Sequence, residues 1–326
     1  MAARLLQGER RALARALTQV ERGGEGAREL LAALYPHSGR AHLVGVTGPP
    51  GAGKSSLVNA LARVFRARER SVAIVAVDPS SPFTGGALLG DRIRMQEHAG
   101  DQGVFIRSMA SRGSLGGLAR ATGDVVTLLD AAGFDLVFVE TVGAGQVEVD
   151  IARESHTTVV IEVPGAGDEV QAIKAGLLEI ADIFAVNKAD RDGTQQTVMA
   201  LRMMLQLGKP VEGWTIPIVK TIATRGEGVE ELAGSIESHR AFLEASGGWR
   251  ARARARATEE FHRLLRRELM ERFLAHVGQE RFEATLDRLA AREIDPNSAA
   301  GELLDHVVEP VRQELTAKDA KSAKNL

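Results

Sequence analysis

Residues 48–55 read Gly-Pro-Pro-Gly-Ala-Gly-Lys-Ser, between the apolar run His42–Thr47 and the helically patterned stretch Ser55–Arg68. A strand, a glycine-rich loop and a helix in that order leave few folds open. The glycines let the backbone wrap so tightly that its N–H groups converge, and the helix N-terminus adds positive partial charge. Such a loop holds phosphate. Lys54 brings a cation to the β- and γ-phosphates of a nucleotide, and the Ser55 hydroxyl is a Mg²⁺ ligand. The expected phosphate-side contacts are Gly48, Pro49, Pro50, Gly51, Ala52, Gly53, Lys54, Ser55 and Ser56. A chance glycine-rich turn is the bland alternative, and the full motif in its proper context speaks against it.

From Ala41 to about Leu243 short apolar runs alternate with amphipathic segments. The runs are His42–Thr47, Val72–Val77, Val104–Ser108, Leu136–Glu140, Thr157–Val163, Ile183–Asn187 and Ile216–Val219. Most are apolar throughout rather than alternating, as strands buried on both faces are. The fold class is therefore α/β: a P-loop nucleotide-binding domain with a mainly parallel sheet and helices on both sides. We expect an N-terminal helical extension over 1–38, the nucleotide domain over 39–246, a C-terminal helical region over 247–316 and a disordered tail over 317–326.

A phosphate loop alone does not separate kinases, ATPases and GTPases. Asn187-Lys188-Ala189-Asp190 does, because it follows an apolar strand, at the edge where open α/β sheets bind ligands. The Asp190 carboxylate accepts from the ring N–H and the exocyclic amine of guanine. Adenine lacks that donor pair and would leave the carboxylate unpaired. Lys188 lies along the base plane, and Asn187 ties the loop to the phosphate side. Thr221–Gly226 follows the last run and resembles a loop whose backbone meets the guanine oxygen, at Ala223. The implied ligand is GTP or GDP with Mg²⁺.

Asp135–Gly143 is an apolar strand ending Glu140-Thr141-Val142-Gly143. Glu140 holds Mg²⁺ through a water and the Gly143 N–H meets the γ-phosphate. Asp78, at the end of a run, and Asp91, in Gly90-Asp91-Arg92, are two further metal candidates; a helix N-cap is the plain alternative for Asp91. Lys54, Asp91, Glu140 and Gly143 form the expected catalytic set. Ala144 follows Gly143 where many GTPases place a water-orienting glutamine, and Gln146 comes two positions later, so intrinsic hydrolysis should be slow.

Other features exclude more than they assign. The chain of 326 residues has a net charge of -2, without the basic excess of a nucleic-acid binder. It has no cysteine, hence no disulfide and no thiolate metal site. No stretch reaches the about 18 apolar residues of a membrane span. Arg4, Arg10, Arg11 and Arg15 suggest a transit peptide, but Glu9 and Glu21 interrupt it, and Leu6, Leu13, Leu17 and Val20 favour a docked helix. A cytoplasmic location is expected. Arg250, Arg252, Arg254 and Arg256 alternate with alanine and read as a solvated entry into a helix. Phe261, Leu264, Leu265, Leu269 and Phe273 then share one face, for packing on the main domain or for a dimer contact.

Taken together, GPPGAGKSS, VDPSSPFTGGALLGDRIRM, VETVGAGQVEVD, PGAGDEVQAIKAGLLEIAD and NKAD resemble the MeaB/ArgK family of G proteins, over essentially the whole chain. The resemblance implies a G domain of the SIMIBI type and a homodimer built through C-terminal helices. It also implies a chaperone role toward an adenosylcobalamin-dependent acyl-CoA mutase, chiefly methylmalonyl-CoA mutase, which in turn stimulates hydrolysis. Asp78, Asp91 and Glu140 become the metal and switch set, and Asp168, Gln171 and Lys174 a third switch that reports to the mutase. Ser56 and Val147 depart from the family pattern without touching a named role. Two rivals were weighed. An ATP-dependent kinase of arginine and ornithine transport is opposed by Asn187–Asp190. A nickel metallochaperone GTPase is opposed by the missing cysteines and scattered histidines.

Overall fold

The computed structural model describes residues 1–78, 100–110, 120–141, 154–165, 179–207 and 213–305. Seven strands form one sheet: β1 (His42–Thr47), β2 (Val72–Asp78), β3 (Val104–Ala110), β4 (Leu136–Thr141), β5 (Thr157–Glu162), β6 (Ile183–Asn187) and β7 (Ile218–Thr221). Their order is β3-β2-β4-β1-β5-β6-β7. Every pairing is parallel. The chain leaves β1 toward β2 on one side and later returns to β5 on the other. The loop after β1 therefore opens at the switch point, where such sheets bind ligands.

Continuous apolar runs become strands covered on both faces. Every residue of β1 is buried. Val44, Val46, Ile74 and Phe138 face α4 (Lys54–Ala67) and α7 (Val229–Ser246). Leu43, Val75, Val137 and Val139 face the other way, toward α5 (Arg120–Ala131) and the N-terminal helices. Val160, Phe184 and Val186 pack with Val198 and Leu201 of α6 (Thr194–Leu207).

The N-terminal segment folds as α1 (Ala2–Leu6), α2 (Arg10–Arg22) and α3 (Glu25–Leu34), broken at Gly8 and at Gly23-Gly24. The break changes the helical phase. Leu13, Leu17 and Val20 are buried as expected, but Leu5 (1% exposed) rather than Leu6 (39%) faces the core. β7 begins two residues later than the apolar run, after Pro217. Proline has no N–H for the ladder, so the strand starts beyond it.

The chain divides into two compact units, Met1–Arg256 and Ala257–Leu326. The arginine-alanine stretch is helical, within α8 (Gly248–Val277). Arg252 is no solvated linker residue. Its guanidinium grips both oxygens of Asp182 at 2.7 Å and donates to the His156 carbonyl at 2.7 Å. In the second unit α9 (Gln279–Ala290) follows, with helical residues 296–305 beyond it. Phe261, Leu264, Leu265 and Leu269 remain exposed.

A buried polar chain runs under the N-terminal ends of β1, β5 and β6. His239 Nε2 faces Asp182 Oδ1 at 3.3 Å, which assigns the ring proton to Nε2. Nδ1 then accepts from the Thr157 hydroxyl (2.8 Å), whose oxygen accepts from His42 Nε2 (2.7 Å). His156 Nδ1 accepts the Leu43 N–H at 3.1 Å, and the His156 ring stacks on Trp249 at 3.9 Å. Burial, reinforced by nearby arginines, pushes His42 down to about 3 and His156 to about 2. Burial also lowers His239 to about 4, although Asp182 partly opposes it.

These rings stay neutral in the folded state, while the unfolded chain takes up protons below about pH 6.5. Stability is therefore full above that pH and falls as the pH drops toward the folded values. Each histidine costs about 1.4 kcal/mol at pH 5.5, about 4 kcal/mol for the three. Urea unfolding at pH 7.5 and 5.5 measures this, and equal midpoints would show that the histidines are not the acid-labile element.

Candidate functional site

The site gathers at the C-terminal edge of the sheet. The loop after β1 is seated by two close approaches. At Gly48 (φ +143°) a Cβ would lie 2.3 Å from the Ile161 carbonyl oxygen of β5. At Gly53 (φ +85°) it would lie 2.6 Å from Asn187 Nδ2. Both positions demand glycine by space and by backbone conformation. The loop thus lies flush on β5 and β6, and α4 starts at Lys54 with its first turn toward the loop.

Lys54 is buried, and its ammonium donates to the loop's own carbonyls, Gly48 at 2.6 Å and Pro49 at 2.9 Å. This folds the cation over the loop that it would share with phosphate. Ser55 donates its hydroxyl to Glu140 Oε1 at 2.5 Å. The parallel register of β1 and β4 sets Val46 opposite Glu140 and so brings the serine and the carboxylate together. Glu140 is 1% exposed, and its Oε2 is buried without a hydrogen bond from the described residues. A hydroxyl beside a buried carboxylate suits a hard cation. Among the described residues no three acidic, histidine or cysteine side chains converge on a metal position. Ser55 and Glu140 are the part of the expected Mg²⁺ set that is described. Asp78 ends β2 at this edge, but its side chain lies outside the described residues. Asp91, Gly143, Ala144, Gln146, Asp168, Gln171 and Lys174 also lie outside them.

Asn187 joins both halves of the site. Its Nδ2 donates to the Ala52 carbonyl at 2.8 Å. Its Oδ1 accepts from the Thr221 hydroxyl at 3.2 Å and from the Ala223 N–H at 3.1 Å. Lys188, in a left-handed conformation (φ +57°), reaches back to the Gly51 carbonyl at 2.7 Å. Asp190 is partly exposed, with Arg225 Nη2 3.6 Å from its Oδ2.

Ala223, expected at the guanine oxygen, donates its N–H to Asn187 Oδ1 at 3.1 Å in this structure. Thr224, exposed, is the next residue of that turn. Sequence reading also passed over Glu162, which looked like part of an apolar run. It is 2% exposed at the end of β5, opposite Val186 in register. A carboxylate ending a buried parallel strand, as Glu140 does, was the available signal. Arg225 was missed as well. Only the fold brings its turn beside Asp190.

A parallel sheet with a phosphate loop after the switch-point strand and an Asn-Lys-Ala-Asp loop after β6 is the build of a P-loop GTPase. Over residues 13–278 the sequence matches the family described as methylmalonyl Co-A mutase-associated GTPase MeaB, and the chain belongs to that family. A Pyrococcus abyssi protein named as a GTPase is 50% identical over 308 residues, covering 94% of this chain and 95% of its own. The mouse protein named methylmalonic aciduria type A homolog, mitochondrial, is 31% identical over 322 residues, covering 92% of this chain and 77% of its own. The crystal structure of a protein called LAO/AO transport system kinase superposes with a TM-score of 0.69 at 27% identity, covering 94% of this chain and 96% of that one. The chain is a GTPase that binds guanine nucleotide. Among the described residues no helix is long and apolar enough to cross a membrane.

Proposed function

We propose that this GTPase is a chaperone of an adenosylcobalamin-dependent acyl-CoA mutase, methylmalonyl-CoA mutase by preference, and that GTP hydrolysis gates cofactor loading. The family match over residues 13–278 carries the mutase part of this reading. The name of the mouse relative agrees with it. The nucleotide part rests on Asn187, whose one side chain ties the phosphate loop to the loop after β7.

In this reading Lys54 exchanges its two loop carbonyls for the β- and γ-phosphates. Ser55 and Glu140, with Asp78 and Asp91, would hold Mg²⁺, which when bound neutralises charge on the phosphate oxygens. Asp190 accepts two hydrogen bonds from guanine, Lys188 covers the base with its stem, and the Thr224 N–H meets the guanine carbonyl in place of Ala223. Asp190→Asn should lower GTP affinity about 10- to 100-fold, from two lost charge-assisted hydrogen bonds. It should also favour xanthosine triphosphate, which carries a carbonyl where guanine carries its amine. Competition binding with both nucleotides measures this, and an unchanged preference for GTP would remove Asp190 from the base site.

The second unit supplies the subunit contact of a homodimer. Phe261 (61% exposed), Leu265 (41%) and Leu269 (58%) recur at helical spacing on α8, more apolar surface than a solvated helix face keeps. Phe261→Asp with Leu265→Asp should turn a dimer into a monomer that still binds GTP. Light scattering decides it, and a dimer that survives both charges puts the interface elsewhere.

Hydrolysis by the free protein is slow, because Ala144 follows Gly143 and no glutamine stands in the water-orienting place. Mutase binding accelerates it by ordering the switches through Asp168, Gln171 and Lys174. Ordering a catalytic group near the γ-phosphate is worth on the order of 10³-fold or more in other GTPases. Steady-state phosphate release, with and without methylmalonyl-CoA mutase, should show a large stimulation that Lys174→Ala blunts while leaving the basal rate nearly intact. A free protein already at its stimulated rate, or a variant that responds normally, would refute the chaperone coupling.

A further inference from the structure

The opposite edge of the sheet carries a second concave site. A cavity of about 550 Å³ opens where the segments leading into β1, β2 and β4 meet α1 and α7, lined by Arg40, Arg70, Arg240, Asp135 and Phe134 among others. It lies at the N-terminal ends of the strands, about 20 Å from the phosphate loop along the length of β1. We propose that this cavity binds a small organic dianion carrying phosphate or carboxylate groups, at a site separate from the nucleotide.

Two carboxylates, Asp130 and Asp135, also line the cavity and would repel such a ligand if their charge were left unbalanced. Both are engaged by neighbouring groups. Asp130 accepts the N–H groups of Gly39 (2.6 Å), Arg40 (3.0 Å) and Ala41 (2.9 Å). Asp135 Oδ2 accepts the Ser71 N–H and hydroxyl, each at 2.8 Å. Burial works against the Asp135 charge, but the Ser71 hydrogen bonds and Arg70 outweigh it and hold the group below its ordinary range. The last carbonyls of α5, which would also oppose an anion, are capped. Leu128, Asp130 and Leu129 give their carbonyls to the N–H groups of Ala132, Gly133 and Phe134.

Three arginines also line the opening, with His37 beside them. Arg70 has one nitrogen 3.5 Å from Asp135 Oδ1 and is half-exposed. Arg240 is held by Nε to Glu244 Oε1 at 2.8 Å, with its guanidinium 5.2 Å over the Trp249 ring. Both heads are therefore oriented, yet most of their five donors are uncommitted. The Arg40 guanidinium makes no hydrogen bond or ion pair with the described residues. Three forked cations around one cleft match oxyanions that accept bidentate bonds. Phe134 supplies an apolar wall, and concavity on this scale fits a small molecule rather than a flat protein surface.

The test uses the full-length protein saturated with Mg²⁺ and a non-hydrolysable GTP analogue, so that every phosphate position at the other edge is filled. Inorganic phosphate and succinate are titrated separately to about 20 mM, the range of a millimolar site. Binding is followed by Trp249 fluorescence, in a Trp214→Phe background, and by calorimetry. Saturable binding of either probe is expected, weakened about tenfold or more by Arg40→Ala and partly restored by Arg40→Lys. The probe that saturates identifies the head group. The Arg40 side chain is exposed and holds nothing in place, so these variants should fold as wild type does, which equal urea midpoints verify. No saturable response to either probe, or binding indifferent to Arg40→Ala, would overturn the proposal.

Discussion

The carboxamide of Asn187 is the contact on which the nucleotide edge depends. A buried carboxamide must satisfy its amine donors and its carbonyl acceptor inside the protein or lose free energy. Asn187 spends them on three different segments: Ala52 in the phosphate loop, Thr221 at the end of β7 and Ala223 in the turn beyond it. The phosphate loop and the turn after β7 are thereby held to β6 by one side chain. Affinity that would otherwise go into ordering loops stays available for discrimination. The approach of Gly53 to the same side chain explains why the loop tolerates no side chain there.

At the other end of β6 the same logic is repeated with a charge. Asp182 stands immediately before Ile183 and collects the Thr158 N–H (2.8 Å), both arms of Arg252 and the edge of His239. Its carbonyl takes the Trp214 indole N–H at 2.9 Å. A buried carboxylate is tolerated only when it is met this fully. The consequence is that the first turns of α8 belong to the G domain by their bonds, although their composition reads as a linker. The three neutral histidines around this network are the cost of burying that edge.

How much of this was legible in the sequence follows from how local each signal is. The phosphate loop, β6 with its Asn-Lys-Ala-Asp turn, and the all-apolar strands are encoded in contiguous residues, and the structure has them where periodicity puts them. What was not legible depends on contacts made across the fold. The partner of the Ala223 N–H depends on where Asn187 Oδ1 points. The anchoring of Arg252 depends on Asp182, and no pattern within an arginine-alanine repeat marks one arginine as different from its neighbours. The swap of Leu5 for Leu6 depends on a helix break at Gly8 that shifts the phase by less than one turn. Glu162 was hidden because one acidic residue at the end of an apolar run looks like the beginning of a loop.

The two tethers also constrain each other. β6 has five residues, Ile183–Asn187, all buried, with Asp182 fixed below and Asn187 fixed above. A slip of one residue in its register against β5 would turn Phe184 and Val186 out of their cluster and carry both polar side chains away from their partners at once. The hydrophobic faces of the strand and its two polar ends therefore specify the same register independently. That agreement lets so short a strand hold the Asn-Lys-Ala-Asp loop in place. It also sets the division of labour along the sheet. The C-terminal edge carries the phosphate loop and the Asn-Lys-Ala-Asp turn with Lys54 and Lys188, while the N-terminal edge is locked by ion pairs and neutral rings.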